Sequence, residues 1–268
     1  MYDTIHTKIF SNGNYKNDIK YTLELNRFFF RLLGIWPYTK MNFPYLENLK
    51  RVSLILVFYF LLFCDFVPTI LYVFIEEKDV RIKIKLVGPM IVTFVSIVKY
   101  IDLMLSNNQI KCCLARVDND WRNVADMDAR DSMVNKAKIG RRMVMLCAAF
   151  MYLSGLFFRT VMPLSKKKIV TAQNLTIRHL PCPAYFVFFD VQASPAYEIV
   201  FFIQFFSGFV KYTITIAICS LAALFAMHIC AQLEILMASM NNLVNERDVK
   251  NLGKRLALTV EHQIRTRE

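Results

Sequence analysis

Asp65 and Lys211 each stand about 13 residues into a long apolar run, at matching depth if both runs cross a bilayer. An ionisable side chain at such depth is costly, so it turns toward protein or a water-filled cavity and finds a partner there. The spacing points to an interhelical ion pair or to two groups lining one cavity. The alternative is that Lys211 snorkels and Asp65 is protonated. Arg159 lies four residues before Pro163 and is expected to snorkel outward. Lys99 and Asp102 are three apart near one end of their run and are expected to pair with each other.

Catalysis finds no footing. His6, His179, His228 and His262 are scattered without metal-ligand spacing, and neither a glycine-rich phosphate loop, a nucleophile elbow nor His-Glu-x-x-His occurs. Asp118, Asp120, Asp126, Asp128 and Asp131 lack the spacing and final Glu of a calcium loop, so a solvated helical face is the expectation. No cofactor or metal is called for. The seven cysteines do not make a framework. Cys64, Cys147 and Cys219 lie in apolar runs, Cys230 lies on the last long helix, and only Cys182 falls in an outer loop. Cys112 and Cys113 are on the cytoplasmic side, where palmitoylation is a conceivable modification and reduced thiols are the expectation.

The elements that must hold these residues are membrane helices. Val52 to Ile75 carries one charge, Asp65, across 24 residues, and ~20 apolar residues suffice to cross a hydrocarbon core. Residues 86–105, 143–162 and 199–237 qualify too; the last is longer than a bilayer requires and is expected to project into the cytoplasm. Composition agrees: 56% of residues are hydrophobic, 20% are charged, and 23 are Phe. The fold class is therefore all-α, a polytopic bundle with four transmembrane helices.

Lysine and arginine set the orientation. Residues 1–51 carry eight, 106–142 eight and 238–268 six, against four each in 76–85 and 163–196. The N-terminal segment and the 238–268 tail are thus placed in the cytoplasm, and the polar start of the chain argues against a signal peptide. The sequon Asn174-Leu175-Thr176 falls in a loop placed outside, where glycosylation occurs. The net charge of +12 reads as topology plus attraction to anionic lipid, and no soluble basic face for nucleic acid is evident. Within 1–51, residues 19–33 space Ile19, Leu23, Asn26, Phe29, Phe30 and Leu33 as one helical face, ended by Gly34 and Pro37. This amphipathic helix lies either at the inner membrane interface or against the protein itself. Residues 106–142 read as helix continuing beyond the membrane.

Four local patterns, in order, resemble the insect odorant receptor family in the form found in ants, bees and wasps. They are Leu33-Gly34-Ile35-Trp36-Pro37, Val117-Asp118-Asn119-Asp120-Trp121, Ser194-Pro195-Ala196-Tyr197-Glu198-Ile199, and His228-Ile229-Cys230-Ala231-Gln232-Leu233-Glu234-Ile235-Leu236. The resemblance implies a seven-helix, N-terminus-inside subunit of a tetrameric odorant-gated cation channel, assembled with the odorant co-receptor in the plasma membrane of a sensory dendrite. The sequence departs from that pattern by stopping after four spans. The pore-lining last helix is not among them, so this polypeptide alone is expected not to conduct ions and reads as a partial gene model or truncated product.

The resemblance also implies an odorant pocket in the outer half of the membrane. Candidates at helical spacing are Met90, Thr93 and Phe94, then Ser154, Phe157 and Phe158, then Phe205, Phe209 and Tyr212. Such a lining suits a small apolar volatile held by shape and dispersion; packing against helices or lipid is the competing role for each residue. A G-protein-coupled receptor fragment conflicts with the charge distribution. A gustatory-type receptor of the same superfamily and a four-span adaptor without gating remain as alternatives.

Overall fold

The computed structural model describes residues 13–36, 44–124, 126–161, 165, 169–170, 176–178, 180–245 and 260. Six α-helices follow in order: α1 Tyr15–Leu32, α2 Pro44–Leu71, α3 Val80–Leu105, α4 Asn107–Arg122, α5 Met127–Leu156 and α6 Ala196–Asn245. π-helical turns extend α2 through Tyr72–Glu76 and α5 through Phe157–Val161. Two-residue strands, β1 Ile169–Val170 and β2 Thr176–Ile177, pair antiparallel between α5 and α6.

Four helices are long and apolar enough to cross a membrane: Asn48–Glu76, Val80–Leu105, Met127–Val161 and Ala196–Asn241. Only 17% to 33% of their apolar windows is buried within the molecule. Phe60, Phe74, Leu105, Phe150 and Phe202 all stand exposed. A surface of that kind is stable against lipid, not water. The helices exceed the apolar runs that flag them. α3 starts six residues before Leu86, α5 starts sixteen residues before Met143, and α6 runs 50 residues.

The chain divides into two compact units. One comprises residues 28–109 and 146–218. It opens on the C-terminal turn of α1, where Gly34 takes φ +73°. Ile35 N donates to Phe30 O at 2.9 Å and Gly34 N to Arg31 O at 3.0 Å, the paired bonds of a Schellman cap that only glycine makes without strain. Tyr100 Oη donates to Leu33 O and Arg51 Nε to Gly34 O, which ties this turn to α3 and α2. Phe30, Leu33, Ile35 and Trp36 are all buried. Of the two settings open to the 19–33 helix, this part packs on protein.

The second unit comprises residues 1–27, 110–145 and 219–268. Its apolar centre is Val117, Trp121, Val124, Ala129, Met133 and Ala231. Arg130 binds Asp18 through two bonds of 2.7 and 2.9 Å. Arg141 reaches Glu24 at 3.0 Å, donates to Tyr21 O and covers the Tyr21 ring. The two sequence patterns in this unit meet in space, because His228 Nε2 lies 2.9 Å from Asp120 Oδ2 while Glu234 accepts Ser132 and pairs with Lys136. Asp118, Asp120 and Asp126 are individually employed. Asp118 pairs with Arg122, and Asp126 caps α5 by accepting Ala129 N at 2.7 Å. No group of three or more metal-binding side chains occurs among the described residues.

Candidate functional site

Among the described residues, only three charged side chains are buried: Asp65, Arg159 and Lys211, each at 5% exposure or less. All three belong to the unit of residues 28–109 and 146–218. Lys211 Nζ stands 2.5 Å from Asp65 Oδ2 and donates to Thr93 Oγ1 at 2.9 Å. Thr93 Oγ1 donates to Pro89 O at 3.0 Å and lies 3.5 Å from Asp65 Oδ2. The carboxylate on α2, the hydroxyl on α3 and the ammonium on α6 therefore form one cluster. A charge in lipid is tolerable only when so paired.

Arg159 corrects the sequence expectation. It does not snorkel: it is buried, Nη1 donates to Gln204 O, and Nη2 lies 3.9 Å from Asp65 Oδ2. The cause is local. Arg159 sits in the π turn Phe157–Val161, where one extra residue per turn rotates the following side chains by about 100° relative to a regular helix. Space is supplied by Gly208, since a Cβ there would collide with Arg159 Nε and Cδ. Lys99 and Asp102 are a second correction. No ion pair between them is formed among the described residues, and Asp102 instead accepts Ser106 Oγ at 3.4 Å.

Gln204 closes the cluster on the side of the loop before α6. Its Nε2 donates to Cys182 O at 2.8 Å and its Oε1 accepts Cys182 N at 3.1 Å, a two-bond clamp that fixes the loop before α6. Burial pushes the Cys182 thiol above its ordinary range; the charge of Asp65 acts the same way, opposed by Arg159 and Lys211. Tyr152 Oη bonds Thr213 Oγ1 at 2.8 Å and its ring stacks on Phe209 at 5.9 Å, with Phe205 edge-on to Phe209 at 4.9 Å. Gly155 lets the Tyr212 ring lie across α5, because a Cβ at that position would collide with the ring at Cε2.

Thr93 thus joins the charge cluster, while Phe205, Phe209 and Tyr212 are half-buried in the aromatic layer of α5 and α6. Met90 is half-buried, and Phe94 stacks on Phe66 at 6.2 Å with more than half its surface exposed. Ser154 is exposed and bonds only Met151 O of its own helix, and Phe157 and Phe158 are exposed on the outside of the π turn. Asn174 lies outside the described residues. Gln204, Tyr152, Gly155 and Gly208 are the residues the sequence reading passed over. Gln204, Gly208 and Lys211 at i, i+4 and i+7 on α6 did offer a polar stripe to notice.

Two hollows lie in the other unit, and neither suits a volatile. A cavity of about 30 Å³ bordered by Asn26, Trp121, Ser220 and His228 has room for about one water. A wider groove of about 530 Å³ is lined by Asp126, Asp128, Asp131 and Glu234, too polar for an apolar guest.

A family model described as 7tm Odorant receptor matches residues 79–267. The structure of the insect olfactory receptor OR5 from Machilis hrabei is similar, with a TM-score of 0.66 at 15% identity. The match covers 94% of this chain and 64% of that one, so the chain spans less than two thirds of that receptor's length. At this identity the likeness concerns the fold. No curated protein matches the chain.

Proposed function

The chain belongs to the odorant receptor family, and from that premise we propose that it binds small volatile molecules in smell and, within the complete protein, serves as a subunit of an odorant-gated cation channel assembled with the odorant co-receptor. The observation that carries this reading is the family match over residues 79–267, on a multi-pass set of helices with the fold of an insect olfactory receptor. The guest site we assign lies among α3, α5 and α6. Thr93 stands on α3 at the charge cluster, Tyr152 and Gly155 on α5, and Phe205, Phe209 and Tyr212 on α6. Stacked rings and a few polar atoms suit a guest held by dispersion and oriented by one or two hydrogen bonds. Met90, Phe94, Ser154, Phe157 and Phe158 are assigned the rim of that site, where further helices of the complete receptor would cover them.

The Asp65–Lys211 pair, in this reading, holds α2 and α6 together beside the guest. The N-terminus is assigned to the cytoplasm and the 163–196 loop to the outside of the plasma membrane, on the strength of the basic-residue distribution. The test is thermal stabilisation of the purified chain in lipid nanodiscs by a panel of volatiles. At least one should raise the melting temperature, and Phe209→Ala should abolish that response without lowering the ligand-free value as much. A panel without any stabiliser, or one whose effect survives Phe209→Ala and Tyr212→Ala alike, overturns the assignment.

A further inference from the structure

The buried cluster is not electrically balanced. Two cations, Lys211 and Arg159, face one carboxylate, and both approach the same oxygen, Asp65 Oδ2, at 2.5 and 3.9 Å. Arginine does not give up its proton in a protein. Lys211 is hydrogen-bonded directly to the carboxylate, the arrangement of a charged ammonium. The cluster therefore holds one positive charge in excess, in a segment that crosses lipid, where an uncompensated charge is very costly.

Unused hydrogen-bonding atoms gather at the same place. Arg159 commits Nη1 to Gln204 O, while Nη2 is beyond bonding distance of Asp65 and Nε is buried without a partner. The Nε–Nη2 edge is the fork with which arginine holds a carboxylate by two parallel bonds. At Gly208 the α6 backbone lies against that edge with no side chain between, since even a Cβ would meet Nε, Cδ and Cζ. Ser207 Oγ, fully buried and also without a partner, lies on α6 one turn after Gln204 and one turn before Lys211.

From the surplus charge and the idle edge of Arg159 we infer that the guest of this receptor carries an acidic head: a short-chain carboxylate whose oxygens bind the Arg159 Nε–Nη2 edge and whose tail lies on the aromatic layer of Tyr152, Phe205 and Phe209. The inference rests on the volatile-binding reading given above and narrows its ligand class. Asp65 then keeps Lys211, the incoming carboxylate takes Arg159, and the cluster becomes neutral when occupied.

The test compares hexanoate, hexanamide and 1-hexanol, which share one tail, binding to the purified chain in phosphatidylcholine nanodiscs at neutral pH. Hexanoate should bind tighter than hexanamide by about tenfold or more, the factor expected from a charge-assisted hydrogen bond. Arg159→Gln should remove that preference and leave hexanamide binding unchanged; Arg159→Lys should restore part of it. Where Arg159→Gln does not fold, the wild-type preference alone decides. Equal binding of all three molecules overturns the acidic head and leaves the volatile site standing, and so does an equal loss of all three in Arg159→Gln. Binding of none overturns both.

Discussion

Replacing Asp65 by leucine and replacing Lys211 by methionine break the same 2.5 Å contact, yet the two losses should differ. In Lys211→Met, Asp65 still has Arg159 at 3.9 Å, so one anion and one cation remain. In Asp65→Leu, two cations are left buried with no anion. At an effective dielectric of 20, a unit pair at these distances is worth ~7 and ~4 kcal/mol before desolvation. Lys211→Met thus retains about two fifths of the attraction Asp65 feels, whereas Asp65→Leu loses both terms. Removing one partner of a buried pair generally costs about 3–5 kcal/mol. We expect Asp65→Leu at or above the top of that range and Lys211→Met at or below the bottom. The double variant Asp65→Leu/Lys211→Met strands one cation instead of two and should recover part of the Asp65→Leu loss. The assay is monodisperse yield and melting temperature of each variant in detergent. Lys211→Met at least as damaging as Asp65→Leu would refute the three-member cluster and return Arg159 to the lipid interface.

Gly208→Ala should displace Arg159 and cost about 1–3 kcal/mol, as overpacking does, with Gly155→Ala comparable through Tyr212; melting temperature reports both. Because burial raises the Cys182 thiol, its thiolate is scarce at neutral pH, so maleimide should label Cys182 far more slowly than the exposed Cys112 and Cys113. The rate for Cys182 should still be climbing at a pH where the exposed thiols have levelled off. Gln204→Leu, which removes the clamp on Cys182, should speed that labelling. Arg130→Lys gives up the two-bond contact with Asp18 and should cost about 1 kcal/mol, seen as faster proteolysis within residues 13–27. If the 163–196 loop faces outward, treatment with a glycosidase should shift the mobility of the wild type and leave Asn174→Gln unchanged.

The membrane helices were legible because lipid demands a signal that needs no tertiary knowledge, some 20 apolar residues in a row. The start of α3 was not: Val80 to Lys85 is helical because of packing and capping, Asp79 accepting Arg81 N, which hydropathy does not register, whereas helix through 127–142 was already the expectation. In the site, charge alone made Asp65 and Lys211 conspicuous. Arg159 was dismissed on its nearness to Pro163, a one-dimensional argument. Its inward turn depends on a π-helical residue and on Gly208, a glycine on another helix, and neither is written into the run around Arg159. Phe94, Phe157 and Phe158 show the converse. Their spacing on a helix fixed a face, but which face meets protein and which meets lipid depends on neighbours that periodicity cannot supply.

The most direct measurement is photolabelling of the chain in nanodiscs with a small aliphatic diazirine volatile, followed by peptide mapping. Labels that concentrate on Thr93, Tyr152, Phe209 and Tyr212 and vanish under an excess of unlabelled volatile are the predicted result. Labels spread evenly over the exposed faces of α2, α3 and α5, and indifferent to competitor, would contradict a guest site among these helices.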